Sequence, residues 1–229
     1  MGDSVLEVVD RFCYLGDMVS AAGGCDAAAI ARCKCAWGKF HENLPLLTAR
    51  SLPLKTRGRL FSTVVRESML HAAETWPMTA KDLERLRRND RAMVRWICRV
   101  KPTDTPDINA LHTKLGVCDL KVLVRQRRLR WFGHVMRSSD EINRVRTRQV
   151  SGKRSKACNM KKWAGCVKDD LEKWGLTEEH TQDRDLWRSS VRNCRLVPTL
   201  NRSAPPCASQ LNSGMRTRSS IKTKPDLID

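Results

Sequence analysis

Apolar residues recur along most of this chain at steps of three and four, the period of a helix packed on one face. Leu60, Phe61, Val64, Val65 and Met69 predict a helix from about residue 54 to 73, and Leu83, Leu86, Met93, Val94 and Ile97 predict another. Thr79-Ala80-Lys81-Asp82 supplies a start signal for the latter, because the Thr79 hydroxyl can accept from an open amide of the first turn. Ile108, Leu111 and Leu115 predict a short helix that Gly116 can end in a left-handed conformation. A longer helix follows from Asp119 to Arg137. Trp163, Val167, Leu171 and Trp174 predict the next, stopped at Gly175, and Thr177 is a candidate cap for a last helix holding Leu186, Trp187 and Val191. Only the start departs from this period. Val5 to Tyr14, a turn at Gly16-Asp17 and Met18-Val19 suggest a short hairpin, with Gly23-Gly24 separating it from a helix that begins near Ala27 and ends near Leu44-Pro45.

The expected fold is therefore mainly α, a helical bundle with a small N-terminal β-hairpin. Residues 138 to 158 are polar and basic and lack periodic apolar positions, so they are expected to link residues 25–137 to a second helical unit at 159–195. Beyond Leu196 the composition turns to Pro, Ser, Asn, Arg and Lys, including Pro205-Pro206, and residues 196–229 are expected to be a disordered basic tail.

Charge changes the picture most. Lys and Arg number 43 against 25 Asp and Glu, a formal net charge of +18 in 229 residues, which favours anionic partners. Much of that charge sits on helices. Lys55, Arg57 and Arg59 crowd a first turn, where the helix dipole disfavours cations, and so suggest either a polyanion contact or a solvated basic end. Arg85, Arg87, Arg88, Arg91, Arg95 and Arg99 fill the polar side of the 80s helix. In the helix from Asp119, Lys121, Arg125 and Arg128 form one row, and Arg127, Arg130 and His134 form a second row expected to widen it into a phosphate-holding stripe. Trp131 is expected on the packing side of that helix, and His134 beside it as a packing or donor group rather than a catalytic base.

Signals of catalysis are missing. The chain has no Walker-type, H-E-x-x-H or G-x-S-x-G motif. Asp169-Asp170 is the only adjacent aspartate pair, and helical neighbours point about 100° apart, so both are expected as surface charge rather than metal ligands. The ten cysteines, with Cys13, Cys25, Cys33, Cys35, Cys158, Cys166, Cys194 and Cys207 irregularly spaced, suit reduced thiols better than zinc or a disulfide scaffold. No apolar run is long enough for a membrane span and the first residues do not look like a secretory signal, so a nuclear or cytoplasmic protein is expected. Lys153-Arg154 and Lys161-Lys162 are basic clusters of the kind that accompany a nuclear location.

Several blocks, taken in order, resemble one family. Phe12-Cys13-Tyr14-Leu15-Gly16, Arg32 to Lys39, Ser51-Leu52-Pro53-Leu54-Lys55-Thr56 and Glu74-Thr75-Trp76 resemble the region after the catalytic palm of non-LTR (LINE-type) retrotransposon reverse transcriptases. The block from Arg127 to Arg137, and Trp163, Cys166, Lys168, Asp170-Leu171, Gly175-Leu176, Asp183-Arg184 and Trp187-Arg188, continue the likeness. It implies that residues 1–24, through Phe12, Tyr14, Leu15 and Gly16, correspond to a primer-grip hairpin, and the helices from Ala27 to Val100 to a thumb. The helices from Ile108 onward would be an extension that engages RNA or DNA. Fingers, palm aspartates and endonuclease are absent from these residues, so the implied function is a noncatalytic grip on nucleic acid that needs no cofactor of its own, whereas the parent enzyme would need Mg. The expected contacts are Lys55, Arg57, Arg59, Lys121, Arg125, Arg127, Arg128, Arg130 and His134, with RNA or DNA as partner and neither a membrane nor a small-molecule substrate. Two alternatives remain open at this point: a part of an active polymerase whose palm lies on another chain, and a basic protein-interaction module anchored by Trp163, Trp174 and Trp187. The chain also departs from the family, with His71, Ala72 and Ala73 where relatives tend to carry a tyrosine and a glycine, and Cys158-Asn159-Met160 ahead of Trp163.

Overall fold

The computed structural model describes residues 8–14, 17–20, 24–101, 103–138, 144 and 161–193. The linker expected at 138–158 lies outside them apart from Ser138 and Arg144, as do Leu15, Gly16 and the tail expected at 196–229. The fold is mainly helical, with one antiparallel hairpin at its N-terminal end. Strand β1 (Arg11–Tyr14) pairs with β2 (Asp17–Ser20) so that Phe12 faces Val19 and Tyr14 faces Asp17. All of β1 is exposed, and Met18 of β2 packs against the helical core.

Helix α1 (Asp26–Glu42) and the single turn α2 (Leu44–Leu47) precede a helix that is interrupted once. It runs as α3 (Leu54–Leu60), widens into a π turn at Phe61–Val65 and resumes as α4 (Arg66–Met69). A π turn fits one extra residue into the turn and resets the face that follows. The first residue after it is Arg66, and its side chain is turned into the core. The chain then bends at Ala72, whose φ of 58° is one that glycine adopts freely and alanine at a cost of about 1–2 kcal/mol.

Helix α5 (Ala80–Ile97) starts at the expected cap: Asp82 N donates to Thr79 Oγ1 at 3.2 Å and Thr79 N to Asp82 Oδ2 at 3.0 Å, a reciprocal pair. Helix α6 (Ile108–Leu115) ends at Gly116 and α8 (Trp163–Trp174) at Gly175, both with positive φ as the sequence predicts. Helix α7 (Leu120–Arg137) begins at Asp119, whose carboxylate accepts from Lys121 N at 2.7 Å. The last helix, α9 (Arg184–Asn193), is not capped by Thr177 as expected. A short 3-10 turn at Glu179–Thr181 intervenes, and Asp183 Oδ1 accepts from the amides of Asp185 and Leu186 at 2.9 and 3.0 Å.

Two apolar cores form, and α7 contributes to both. Leu120 and Val124 join the first with Phe40, Phe61, Leu86 and Ile97, while Leu129 and Phe132 join the second with Val167, Leu171, Trp187 and Val191. At the crossing of α7 and α9, Trp187 Nε1 donates to Leu129 O at 3.0 Å and Gln126 Nε2 to Val191 O at 3.0 Å. Both bonds satisfy groups that burial would otherwise leave unpaired. The first core contains a buried ion pair: Arg66 holds Asp90 with Nε at 2.7 Å and Nη2 at 2.8 Å, and donates its third arm to Cys118 O at 2.7 Å. His112 Nε2 stands 3.6 Å from Asp90 Oδ2, beyond hydrogen-bond reach.

The described cysteines are free thiols, and burial divides them. Burial, with the charge of Asp82 beside it, pushes the Cys25 thiol up to about 12, and burial pushes Cys33 up to about 11. At pH 8 the thiolate of Cys25 is then about one part in ten thousand, and the thiolate is the nucleophile. Iodoacetamide at that pH is expected to label the exposed Cys13 and Cys35 in the folded chain and to reach Cys25 and Cys33 only after denaturation. Peptide mass spectrometry checks this, and equal labelling rates would contradict the burial described.

Candidate nucleic-acid interface

The two basic rows of α7 do not form one stripe. At about 100° per residue, Arg128 and Arg130 lie about 160° apart around the helix. The row of Lys121, Arg125 and Arg128 faces α8, and the row of Arg127, Arg130 and His134 faces away from it. On the α8 side the two arginines are spent internally. Arg128 is 5% exposed, its Nη1 donates to Asp170 Oδ2 at 2.6 Å, and Arg125 Nε stands 3.1 Å from Asp170 Oδ1. Asp170, expected as surface charge, is 4% exposed and is the acid that joins α7 to α8.

Arg57 is likewise structural. It is buried, and its Nη1 donates at 3.3 Å to Ile97 O, an otherwise open carbonyl in the last turn of α5 where a cation is favoured by the dipole. Its neighbours Lys55 and Arg59 are exposed. The outer arginines of α5 are also largely engaged. Arg85 pairs with Asp26 at 3.1 Å, Arg87 with Glu84 and Asp119, and Arg91 with Glu84, while Arg99 donates to Thr48 O at 2.7 Å. The bonds to Asp26 and Asp119 tie α5 to its neighbours and those to Glu84 lie within the helix, so the expected cationic face there is partly neutralised.

The exposed row of α7 is different. Lys55 and Arg59 of α3 and Arg127 and Arg130 of α7 line one cleft, of about 710 Å³, in which Glu67, paired with Arg127, is the only acid among the lining residues. A second cleft, of about 480 Å³, is lined by Arg130, His134, Arg137, Arg184, Arg188 and Arg192 around the edge of Trp187, and no acid lines it. Arg130 belongs to both. A basic track therefore runs from α3 across α7 to α9. Arg137 Nη1 donates to Thr181 O at 2.7 Å, which holds it at the edge of this cleft, and burial, and then the charges of Arg184 and Arg188, push its guanidinium below its ordinary range. From Arg127 to Arg137 the helix advances about 15 Å, over which a duplex carries about nine phosphate charges.

His134 stacks beside Trp131, ring centroids 5.3 Å apart, and is exposed. Trp131 is half-buried rather than on the packing side expected. Phe12 and Tyr14 lie exposed on the hairpin with centroids 6.4 Å apart, and Leu15 and Gly16 fall outside the described residues. Trp187 is 1% exposed, and Trp163 and Trp174 pack against the second core, which leaves little of them to anchor a partner. Arg137, Arg184, Arg188 and Arg192 were not among the residues expected to bind. Their signal was present, since 184, 188 and 192 recur at four-residue steps along one side of the helix, flanking the apolar positions of Trp187 and Val191. Among the described residues no group of His, Cys, Asp and Glu could hold a metal ion, and no helix is long and apolar enough to cross a membrane.

Over 144 residues the chain is 26% identical to an uncharacterised transposon-derived protein of Caenorhabditis elegans. The chain is similar to a transposon product. The match covers 59% of this chain and 50% of that protein, so the chain spans about half the length of the relative. No family model matches it, and no solved structure does.

Proposed function

We propose that this chain is a noncatalytic nucleic-acid-binding remnant of a non-LTR retrotransposon reverse transcriptase, gripping RNA or DNA along the track from Lys55 to Arg192. The observation that carries the reading is the pair of basic clefts joined at Arg130, one of them lined by no acid. The likeness to a transposon-derived protein supports the origin. Lys55, Arg59, Arg127, Arg130 and His134 keep the role expected of them, joined by Arg137, Arg184, Arg188 and Arg192. Arg57, Arg125 and Arg128 serve the fold instead, and Lys121 lies on the other side of α7.

Such binding is electrostatic and weakens as salt rises, because counterions released from the polynucleotide lose their entropic advantage. Arg130→Ala and Arg188→Ala are each expected to weaken binding of a labelled duplex and to reduce the log–log salt slope by about 1. Fluorescence anisotropy over a salt series checks this, with Arg128→Lys, inside the fold, as a variant that leaves the slope unchanged. Unaltered slopes in both track variants would remove the track from the interface.

The exposed apolar residues Phe12, Tyr14 and Val19 of the hairpin, with Val8 ahead of it, favour one second reading, in which this chain supplies the grip and another chain supplies a polymerase palm. Primer extension by the purified chain alone, abolished by a chelator, would overturn the noncatalytic reading itself.

A further inference from the structure

A cavity of about 320 Å³ opens on the side of α7 opposite the track, between the first turn of α5 and helix α8. Its walls are unequal in charge. Arg87, Lys121, Arg125, Arg128, Lys161 and Lys173 line it against Glu84, Asp169 and Asp170. The acids are already engaged. Asp170 is shared by Arg125 and Arg128, Asp169 holds Lys161 at 2.8 Å, and Glu84 is taken by Arg87 and Arg91. Among the described residues Lys121 and Lys173 have no ion pair, and the buried Nε of Arg128 has no hydrogen-bond partner.

Like charges gathered in a recess repel one another, and an anion bound among them relieves that repulsion. Lys121 is consistent with this: the neighbouring charge of Arg125, then burial, then Arg87 and Lys173 outweigh Asp119 and push its ammonium below the ordinary lysine range. Two ammonium groups on flexible stems, next to guanidinium groups fixed by Asp170, suit a compact group with several oxygens and two negative charges. The volume accommodates a phosphate with a small group attached.

We propose that this cavity is a binding site for a phosphate dianion, separate from the basic track, with Lys121 and Lys173 as its ionic contacts. It does not rest on the nucleic-acid reading, because its residues lie on the other side of α7. The dianion has two possible sources, the terminal phosphate of a polynucleotide or a free phosphate compound.

Calorimetric titration of the full chain with pyrophosphate at low ionic strength tests the site. One equivalent is expected to bind, and the double substitution Lys121→Gln with Lys173→Gln is expected to weaken it about tenfold or more, while Arg188→Ala with Arg192→Ala leaves it unchanged. Both lysines are exposed and outside the ion pairs of the fold, and an unchanged circular dichroism spectrum confirms that the double variant is folded. A parallel arm compares 5′-phosphorylated with 5′-hydroxyl oligonucleotides. A preference for the phosphorylated end that the lysine substitutions remove supports the site with a chain end as source, and pyrophosphate binding without that preference supports it with a free compound. No binding of pyrophosphate, binding indifferent to the lysine substitutions, or equal loss in the Arg188 and Arg192 variant would each overturn the proposal.

Discussion

Replacing Asp90 with alanine is expected to destabilise the chain by about 3–5 kcal/mol, because it leaves the Arg66 guanidinium charged and unpaired inside the core. Both members of the pair are 1% exposed, so water cannot take the place of the lost carboxylate. The pair has a defined acid limit. Burial pushes the Asp90 carboxyl up, but the His112 imidazole and the charge and bonds of Arg66 outweigh it and hold the carboxyl below its ordinary range. A depressed folded value means that the stabilisation is complete above the unfolded value of about 3.9 and is lost as pH falls through the lower folded value. Urea unfolding at pH 7 should therefore show the full deficit of Asp90→Ala, and the deficit should shrink on acidification below about pH 4. Removing both charges with Arg66→Met and Asp90→Leu should recover much of the loss, since it is the single orphan that costs most. A deficit under about 1 kcal/mol in Asp90→Ala, within the range of an exposed pair, would show that the pair is open to solvent.

Gly133→Ala is expected to be nearly as damaging and to weaken nucleic-acid binding as well. A methyl group on Gly133 would lie 2.1 Å from Trp187 Nε1 and 2.5 Å from Cδ1. The indole has little room to retreat, because Nε1 is bonded to Leu129 O and the ring is packed with Phe132 at a centroid distance of 6.3 Å. Overpacking of a tight core costs about 1–3 kcal/mol, and expelling the ring altogether about 3–5 kcal/mol. Either outcome loosens α9, which carries Arg184, Arg188 and Arg192. Hydrogen exchange should then show lost protection along Arg184–Asn193, together with a shallower salt slope for duplex binding. Full protection of α9 in the variant would mean that the two helices are not this close. The Gly133 of the Trp-Phe-Gly-His block thus has a physical reason: it is the gap into which Trp187 fits.

The helices were legible from their apolar period, and most sharply where a terminal signal accompanies it. Thr79 and Asp82 closed a cap within four residues of sequence, and Gly116 and Gly175 marked ends that need positive φ. What the sequence could not show was partnership across distance. Arg128 and Arg130 look alike in a basic run, and only α8, with Asp170 42 positions away, decides that one is buried and the other exposed. The same holds for Arg57, whose acceptor lies 40 positions on, and for Asp170, which has the composition of surface charge and the burial of a core residue. Thr177 failed as a cap for a local reason: a 3-10 turn takes up the next residues, and Asp183 stands where the helix actually starts. Half of the track was read from α3 and α7, and the α9 half was missed because a cluster of single arginines between Asp, Ser and Trp has no charge run to announce it.

Helix α7 threads both apolar cores like an axle through two wheels. Loosening either one strips support from the same rod, so the described helices have no seam along which half could melt and leave the rest standing. The proposed grip on a polyanion would inherit that property: arginines drawn from three separate helices stay aligned only while the shared axle is seated at both ends.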